Sequence, residues 1–187
     1  MHAWQLRRND TGQLAIFDID GTLTATNAVD DECYARAVAE VLDVAPEDID
    51  WSDTPHVTDS GIARHLWPRH RARPADVHDL TALQHRFLAR LKAELTRAPK
   101  RCVAIPGATT VFEHLRRNDW HVALATGGWL SSAAMKLQAA GLVVTDLPMA
   151  CADDADSRED IVRLAWQRAE AQAGIAFDRV VIVGDAP

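Results

Sequence analysis

The sequence is short of cysteine, of long apolar runs and of positive charge, and each shortage excludes something. Its three cysteines, Cys33, Cys102 and Cys151, are odd in number, far apart and without Cys-x-x-Cys spacing. Neither a disulfide framework nor a zinc site is expected of them; small buried thiols in a reducing compartment fit better. No run approaches the ~20 apolar residues of a membrane span. Met1 to Gly12 is polar where a signal peptide would carry an apolar stretch. With 20 basic residues against 27 acidic, the net charge of −7 sets bulk electrostatics against a nucleic acid or an anionic membrane as partner. The eight histidines show no metal-ligand spacing on one helix face, and there is no repeat or low-complexity tract. What remains is a globular, cytoplasmic protein whose 187 residues can form one large domain or a core with a smaller insertion.

Against these absences stands one dense stretch, Leu14-Ala15-Ile16-Phe17-Asp18-Ile19-Asp20-Gly21-Thr22-Leu23-Thr24. It reads as an apolar strand that ends in two carboxylates and a glycine turn. Residues i and i+2 of a strand project to the same side, so Asp18 and Asp20 stand together at its tip. Continuous apolar runs mark strands covered on both faces, and ligand crevices in such sheets lie beyond the strands' carboxyl ends. A carboxylate pair there repels itself unless a cation or a shared proton relieves it. The plainer alternative is a solvated turn with chance acids.

Four strands are predicted, at about 13–19, 121–126, 147–152 and 179–184, with a helix at 107–118 before the second and helices at 129–140 and 157–173 between the last three. That alternation predicts a parallel sheet. Val111 and Leu115 are expected to face inward from the first of these helices, and Gly141 to stop the second. Ser157 is the expected N-cap of the third and Gly174 its stop, with Ile161, Leu164, Ala165 and Arg168 as the inner stripe. Residues 27–100 hold no convincing strand. Val29, Cys33, Ala37, Val38, Val41 and Leu42 repeat at helical spacing, as do Val77, Leu80, Leu83, Phe87, Leu88, Leu91 and Leu95. So long a connection is expected to fold as its own unit rather than pad the core, with linkers near Thr22–Asn27 and Ala98–Pro106.

The stretch Asp18-Ile19-Asp20-Gly21-Thr22-Leu23-Thr24 resembles the first signature of the haloacid dehalogenase superfamily, most of whose members are phosphohydrolases. Val122-Ala123-Leu124-Ala125-Thr126-Gly127-Gly128 is similar to its second signature, a strand ending in Ser or Thr. Arg158, opening Ser157-Arg158-Glu159-Asp160-Ile161-Val162, resembles the third, a single Lys or Arg. Val180-Val181-Ile182-Val183-Gly184-Asp185 resembles the fourth. The resemblance implies an α/β, Rossmann-like parallel sheet with helices on both faces plus an inserted all-helical cap domain. The catalytic core would then be 1–26 and 101–187, C-terminally incomplete, and the cap 27–100.

It implies roles as well. Asp18 would be the nucleophile that attacks phosphorus, and Asp20 the acid and then the base, which calls for a raised pKa. Thr126, with the amides of Gly127 and Gly128, would hold phosphoryl oxygens, as amide nests do; without the resemblance, a plain strand-to-helix turn remains open. Arg158 would neutralise the phosphoryl group and pair with Asp18, although seventeen arginines are present and most are surface residues. Asp18, Asp185 and the main-chain carbonyl of Asp20 would bind Mg²⁺, which takes hard oxygen ligands. Asn27, Asp30 and Thr58-Asp59-Ser60-Gly61 would face the cleft from the cap.

The basic run Arg64–Arg73 reads more as a solvated surface than as a substrate-attracting patch. A second metal site in the acidic loop of Asp153, Asp154 and Asp156 is disfavoured. The expected function is a Mg²⁺-dependent phosphomonoesterase acting on a small phosphorylated metabolite. Its alternatives are a phosphosugar mutase-type phosphotransferase and a non-catalytic, truncated paralogue serving as a binding module. Dehalogenation is disfavoured by the presence of Asp20, and phosphonate cleavage by a cap whose lysines, Lys92 and Lys100, lie near its end. Relatives carry a further acid beyond the Gly-Asp. The expectation is therefore that the natural chain continues past Pro187, or that the apolar edge 180–183 pairs with another chain.

Overall fold

The computed structural model describes residues 11–52, 54 and 57–185. The polar segment before Thr11 and the chain end at Pro187 lie outside the described residues.

Four strands, β1 (Thr11–Phe17), β2 (Trp120–Ala125), β3 (Met149–Ala150) and β4 (Ala176–Val183), form one parallel sheet in the order β3-β2-β1-β4. Six helices accompany them: α1 (Asn27–Leu42), α2 (Asp59–Arg71), α3 (Val77–Arg97), α4 (Ala108–Arg117), α5 (Leu130–Ala139) and α6 (Arg158–Ala173). Because β1 is central, its side chains alternate between two buried faces. Leu14 and Ile16 pack toward α6 with Ala123, Ala125, Ile161 and Ala165, whereas Ala15 and Phe17 pack toward α4 and α5 with Phe112, Leu124 and Leu137. That two-sided burial is the physical reason for an unbroken apolar run.

Local chemistry sets the ends of these elements. The Ser157 hydroxyl accepts the Asp160 N–H at 3.1 Å and opens α6, and Gly174 closes it in the left-handed region at φ +70°. Asp76 and Asp79 form a reciprocal capping box at the start of α3. This explains why Val77, expected in the apolar stripe, is exposed in the first turn. The third strand is shorter than expected: Pro148 has no N–H for a ladder, and the Cys151 N–H turns away to the Asp154 carboxylate at 2.9 Å. In α4 the buried residues are Ala108 and Phe112, with Val111 and Leu115 half-buried beside them. In α6 the buried stripe is Ile161, Ala165 and Ala169. Arg168 leaves that stripe to bond the Met149 carbonyl at 2.6 Å and the Asp154 carboxylate.

The segment between β1 and β2 is helical, as expected. Helices α1, α2 and α3 share a core built on Val29, Cys33, Leu66, Trp67, Phe87 and Leu91. That core does not close on itself; Cys102, Trp129 and Ala152 extend it onto the sheet-bearing part. The two connections run side by side, with Ala25 N–H donating to Val103 at 2.9 Å, Ile105 N–H to Leu23 at 2.9 Å, and a bridge between Thr24 and Ala104. All three cysteines are free and buried. Among the described residues no helix is long and apolar enough to cross a membrane.

Candidate active site

Strand register brings the candidate residues together. Phe17 pairs with Leu124 on one side and Val183 on the other, so β1, β2 and β4 end level. Asp18 and Thr126 follow those ends directly, Asp185 follows one residue later, and all three share the carboxyl edge of the sheet.

Asp18 continues the ladder through its N–H to the Val183 carbonyl at 2.9 Å. Its carboxylate accepts the Ile19 N–H at 2.8 Å on one oxygen and an Arg158 guanidinium N–H at 3.1 Å on the other. Burial pushes its pKa up, and the Arg158 charge pulls part of that rise back. Arg158 is the first residue of α6. Its side chain is 47% exposed, so it reaches in from the solvent side, and its Nε donates to the Val57 carbonyl at 3.3 Å.

Gly21 is required where it stands. Its φ is +74°, and a Cβ there would meet Asp185 Oδ2 at 2.0 Å. The Asp185 carboxylate therefore lies directly over the turn that follows Asp20. It also accepts the Asn27 side-chain N–H at 2.9 Å. Among the described residues no three His, Cys, Asp or Glu side chains form a metal cage. The expected donor set has only two side chains, Asp18 and Asp185, its third member being the Asp20 carbonyl.

Thr126 is fully buried, and its hydroxyl accepts the Gly128 N–H at 3.1 Å. Gly127 allows a close approach: a Cβ would meet the Val57 carbonyl at 2.7 Å and Arg158 Nε at 2.9 Å. A cavity of about 390 Å³ opens beside the nucleophile candidate, lined by Asp18, Val57, Ala125, Arg158, Ile182 and Gly184 among others.

Several residues of the helical segment bond to the sheet-bearing part near these strand ends. The Asp59 N–H donates to the Gly127 carbonyl at 2.8 Å, and its carboxylate accepts the Trp129 N–H at 2.9 Å. The hydroxyls of Ser60 and Thr58 donate to the carbonyls of Ala152, at 2.8 Å, and Asp156, at 2.6 Å. Asp30 meets Lys136 at 2.6 Å. The acidic loop is structural: Asp153 accepts the Leu130 N–H at 2.7 Å, and Asp154 pairs with Arg168 at 2.6 Å. Two members of the basic run are held by acids, Arg64 by Asp156 at 3.2 Å and Arg73 by Asp79.

Sequence reasoning missed Lys136. It is fully buried in α5, with its ammonium 2.6 Å from Asp20 Oδ2. The second Asp20 oxygen accepts the Thr26 hydroxyl at 2.5 Å. A signal was present: Lys136 falls on the apolar stripe with Ala133 and Leu137, where a solvated lysine does not belong.

Parallel strands ending level, with paired carboxylates on the central one, define a crevice-forming α/β enzyme core. The haloacid dehalogenase-like hydrolase profile matches residues 13–187, and the chain belongs to that family of hydrolases. A search of curated proteins finds no match. Among solved structures, a hydrolase from Pseudomonas syringae is similar at TM-score 0.67 and 20% identity, over 93% of this chain and 76% of that one. CbbY from Rhodobacter sphaeroides, in complex with phosphate, is similar at TM-score 0.59 and 22% identity, over 92% and 77%. A β-phosphoglucomutase-like protein from Thermotoga maritima follows at TM-score 0.52 and 19% identity, over 91% and 74%. At these identities the likeness concerns the fold.

Proposed function

We propose that this hydrolase is a phosphomonoesterase acting on a small phosphorylated metabolite through an aspartyl-phosphate on Asp18. The observation that carries the reading is the gathering of Asp18, Arg158, the Thr126-Gly127-Gly128 turn and Asp185 at one sheet edge. In the first step an Asp18 oxygen bonds to phosphorus while the bond from phosphorus to the ester oxygen breaks. Asp20 gives its proton to that departing oxygen. In the second step a water oxygen bonds to phosphorus and passes its proton to Asp20. The bond from phosphorus to Asp18 breaks, releasing phosphate and restoring both side chains. Splitting the hydrolysis in this way replaces one difficult displacement with two easier ones. Arg158 supplies fixed positive charge to the phosphoryl oxygens, and the Thr126 hydroxyl with its neighbouring amides orients them.

The donors also fit Mg²⁺. The missing Gly21 side chain lets the Asp185 carboxylate lie over the Asp20–Gly21 turn, and the available donors are hard oxygens. Asp18, Asp185 and the Asp20 carbonyl would hold the ion, which when bound offsets negative charge accumulating on the phosphoryl group.

Residues 27–100 act in this reading as a cap on a core of 1–26 and 101–187, the paired connections serving as the neck. The docking of Asp59 and Ser60 onto Gly127 and Ala152 supports it. A phosphosugar mutase-type transferase would use the same first step and hand the phosphoryl group to a second hydroxyl. The test is phosphate release from p-nitrophenyl phosphate and from a panel of phosphorylated metabolites, with Mg²⁺ and with a chelator. Release that requires Mg²⁺ supports the phosphatase reading. Sugar bisphosphate without free phosphate would support transfer, and no turnover of any ester would sink both.

A further inference from the structure

The steps above leave Lys136 without a role, yet it is the most completely enclosed charge at the site. It is one of three lysines in the chain, and its side chain is 0% exposed. A buried ammonium is costly unless it is paired and hydrogen-bonded, and an apolar side chain usually fills such a position at lower cost. Here two carboxylates supply that pairing, Asp20 and Asp30, each 2.6 Å from the ammonium.

Its partners come from different parts of the chain. Asp20, at 2.6 Å, lies in the turn after β1; Asp30, also at 2.6 Å, lies on α1. Asp59, at the start of α2, turns its carboxyl to the Trp129 N–H instead. The Asp20 oxygen not taken by Lys136 accepts the Thr26 hydroxyl, which is itself 2.7 Å from that of Thr24. Both Asp20 oxygens are therefore fixed, one by the neck and one by Lys136. The helical segment grips the same ammonium.

The structure assigns Lys136 as a positioning residue for Asp20: it orients the carboxyl that carries the proton, and it makes that orientation depend on Asp30 in the helical segment. This rests on the reading of Asp20 as acid and then base. The consequence depends on the leaving group. A p-nitrophenolate departs without help, so the first step on p-nitrophenyl phosphate does not need a well-placed Asp20, whereas the second step does. An alkyl oxide needs the Asp20 proton to leave, so both steps need it.

The experiment is rapid-quench kinetics on Lys136→Met, with p-nitrophenyl phosphate and an alkyl phosphate compared. A second variant, Lys136→Met with Asp30→Asn, removes one cation and one anion together and guards against a fold lost to unpaired charge. The expected result is a burst of p-nitrophenolate slowed by no more than about tenfold, then steady turnover slowed ~10²-fold or more; the alkyl ester should lose ~10²–10⁴-fold in its first step, the range of acid–base assistance. Equal losses in the first step on both esters, or no loss on either, would overturn the assignment. So would failure of the charge-compensated variant to fold, which would make Lys136 part of the folding core alone. If the unaltered protein hydrolyses neither ester, the phosphatase reading itself fails and takes this inference with it. If it hydrolyses both and the variants keep its profile, only the inference fails.

Discussion

Asp18 and Asp20 are the same residue two positions apart, and the structure places them in opposite surroundings. Asp18 looks toward α6 and the cavity. It meets a half-exposed arginine at 3.1 Å on one oxygen and a main-chain amide on the other. Asp20 is held instead by a fully buried lysine at 2.6 Å and a buried hydroxyl at 2.5 Å. One counter-charge is on a long arm that reaches in from solvent; the other is locked in a helix. On the roles proposed above this is a division of labour: the carboxylate assigned to bond phosphorus lines the cavity, and the one assigned to move a proton is held by two fixed partners.

The largest expected effect comes from erasing the first member of the pair. Asp18→Asn keeps the shape but removes the nucleophile, and steady-state phosphate release should fall to background while the circular dichroism stays unchanged. Next comes the second member. Asp20→Asn should cost about 10²–10⁴-fold in turnover with an alkyl phosphate, and a loss below tenfold would erase the proposed difference between the two residues. Removing the outer counter-charge should matter less. Arg158→Ala deletes one charge-assisted bond, typically ~1.5–3 kcal/mol, so kcat/KM should drop by roughly 10- to 100-fold.

The smallest effect is on stability, and it follows from burial. Asp30 is pushed up to about 6 by burial, only partly offset by Lys136, and burial raises Asp18 and Asp59 as well. Folded carboxyls with raised pKa hold protons that the unfolded chain has already lost. Stability from these groups is therefore greatest below their unfolded pKa and falls as pH rises toward about 6. Asp79, held down to about 2 by its Arg73 partner, works in the other direction and loses stability only under strong acid. The unfolding free energy should accordingly be higher at pH 5 than at pH 7, by at most about 1.4 kcal/mol per pH unit for each proton involved, and the unfolding temperature higher with it. Asp30→Asn should flatten that slope, as differential scanning calorimetry would show.

Much of this was legible because strand tips are marked by composition. The run from Leu14 to Phe17 had to be buried on both faces, and the carboxylates after it had to sit at a sheet edge. Thr126 and Asp185 end their own apolar runs in the same way, so level register completed the cluster. Ser157 and Gly174 announced the limits of α6 through capping chemistry. The rest depended on contacts between distant segments. Arg168 sits at a core-facing position but swings out, because Asp154 and the Met149 carbonyl are close enough to claim it. Lys136 lies on the apolar stripe of its helix, but the acids it meets come from α1 and the β1 turn, which only the closed fold brings to it. The core of the helical segment runs on into Trp129 and Ala152, a continuity that helical spacing within 27–100 does not reveal.

The central claim is that Asp18 carries the phosphoryl group between the two steps. Its most direct test is rapid acid quench of the enzyme with excess p-nitrophenyl phosphate and Mg²⁺, followed by peptide mass spectrometry. The account predicts a phosphoryl group on the peptide containing Asp18, absent from Asp18→Asn and accumulating further in Asp20→Asn. A phosphoryl group on any other residue, or full turnover by Asp18→Asn, would contradict it.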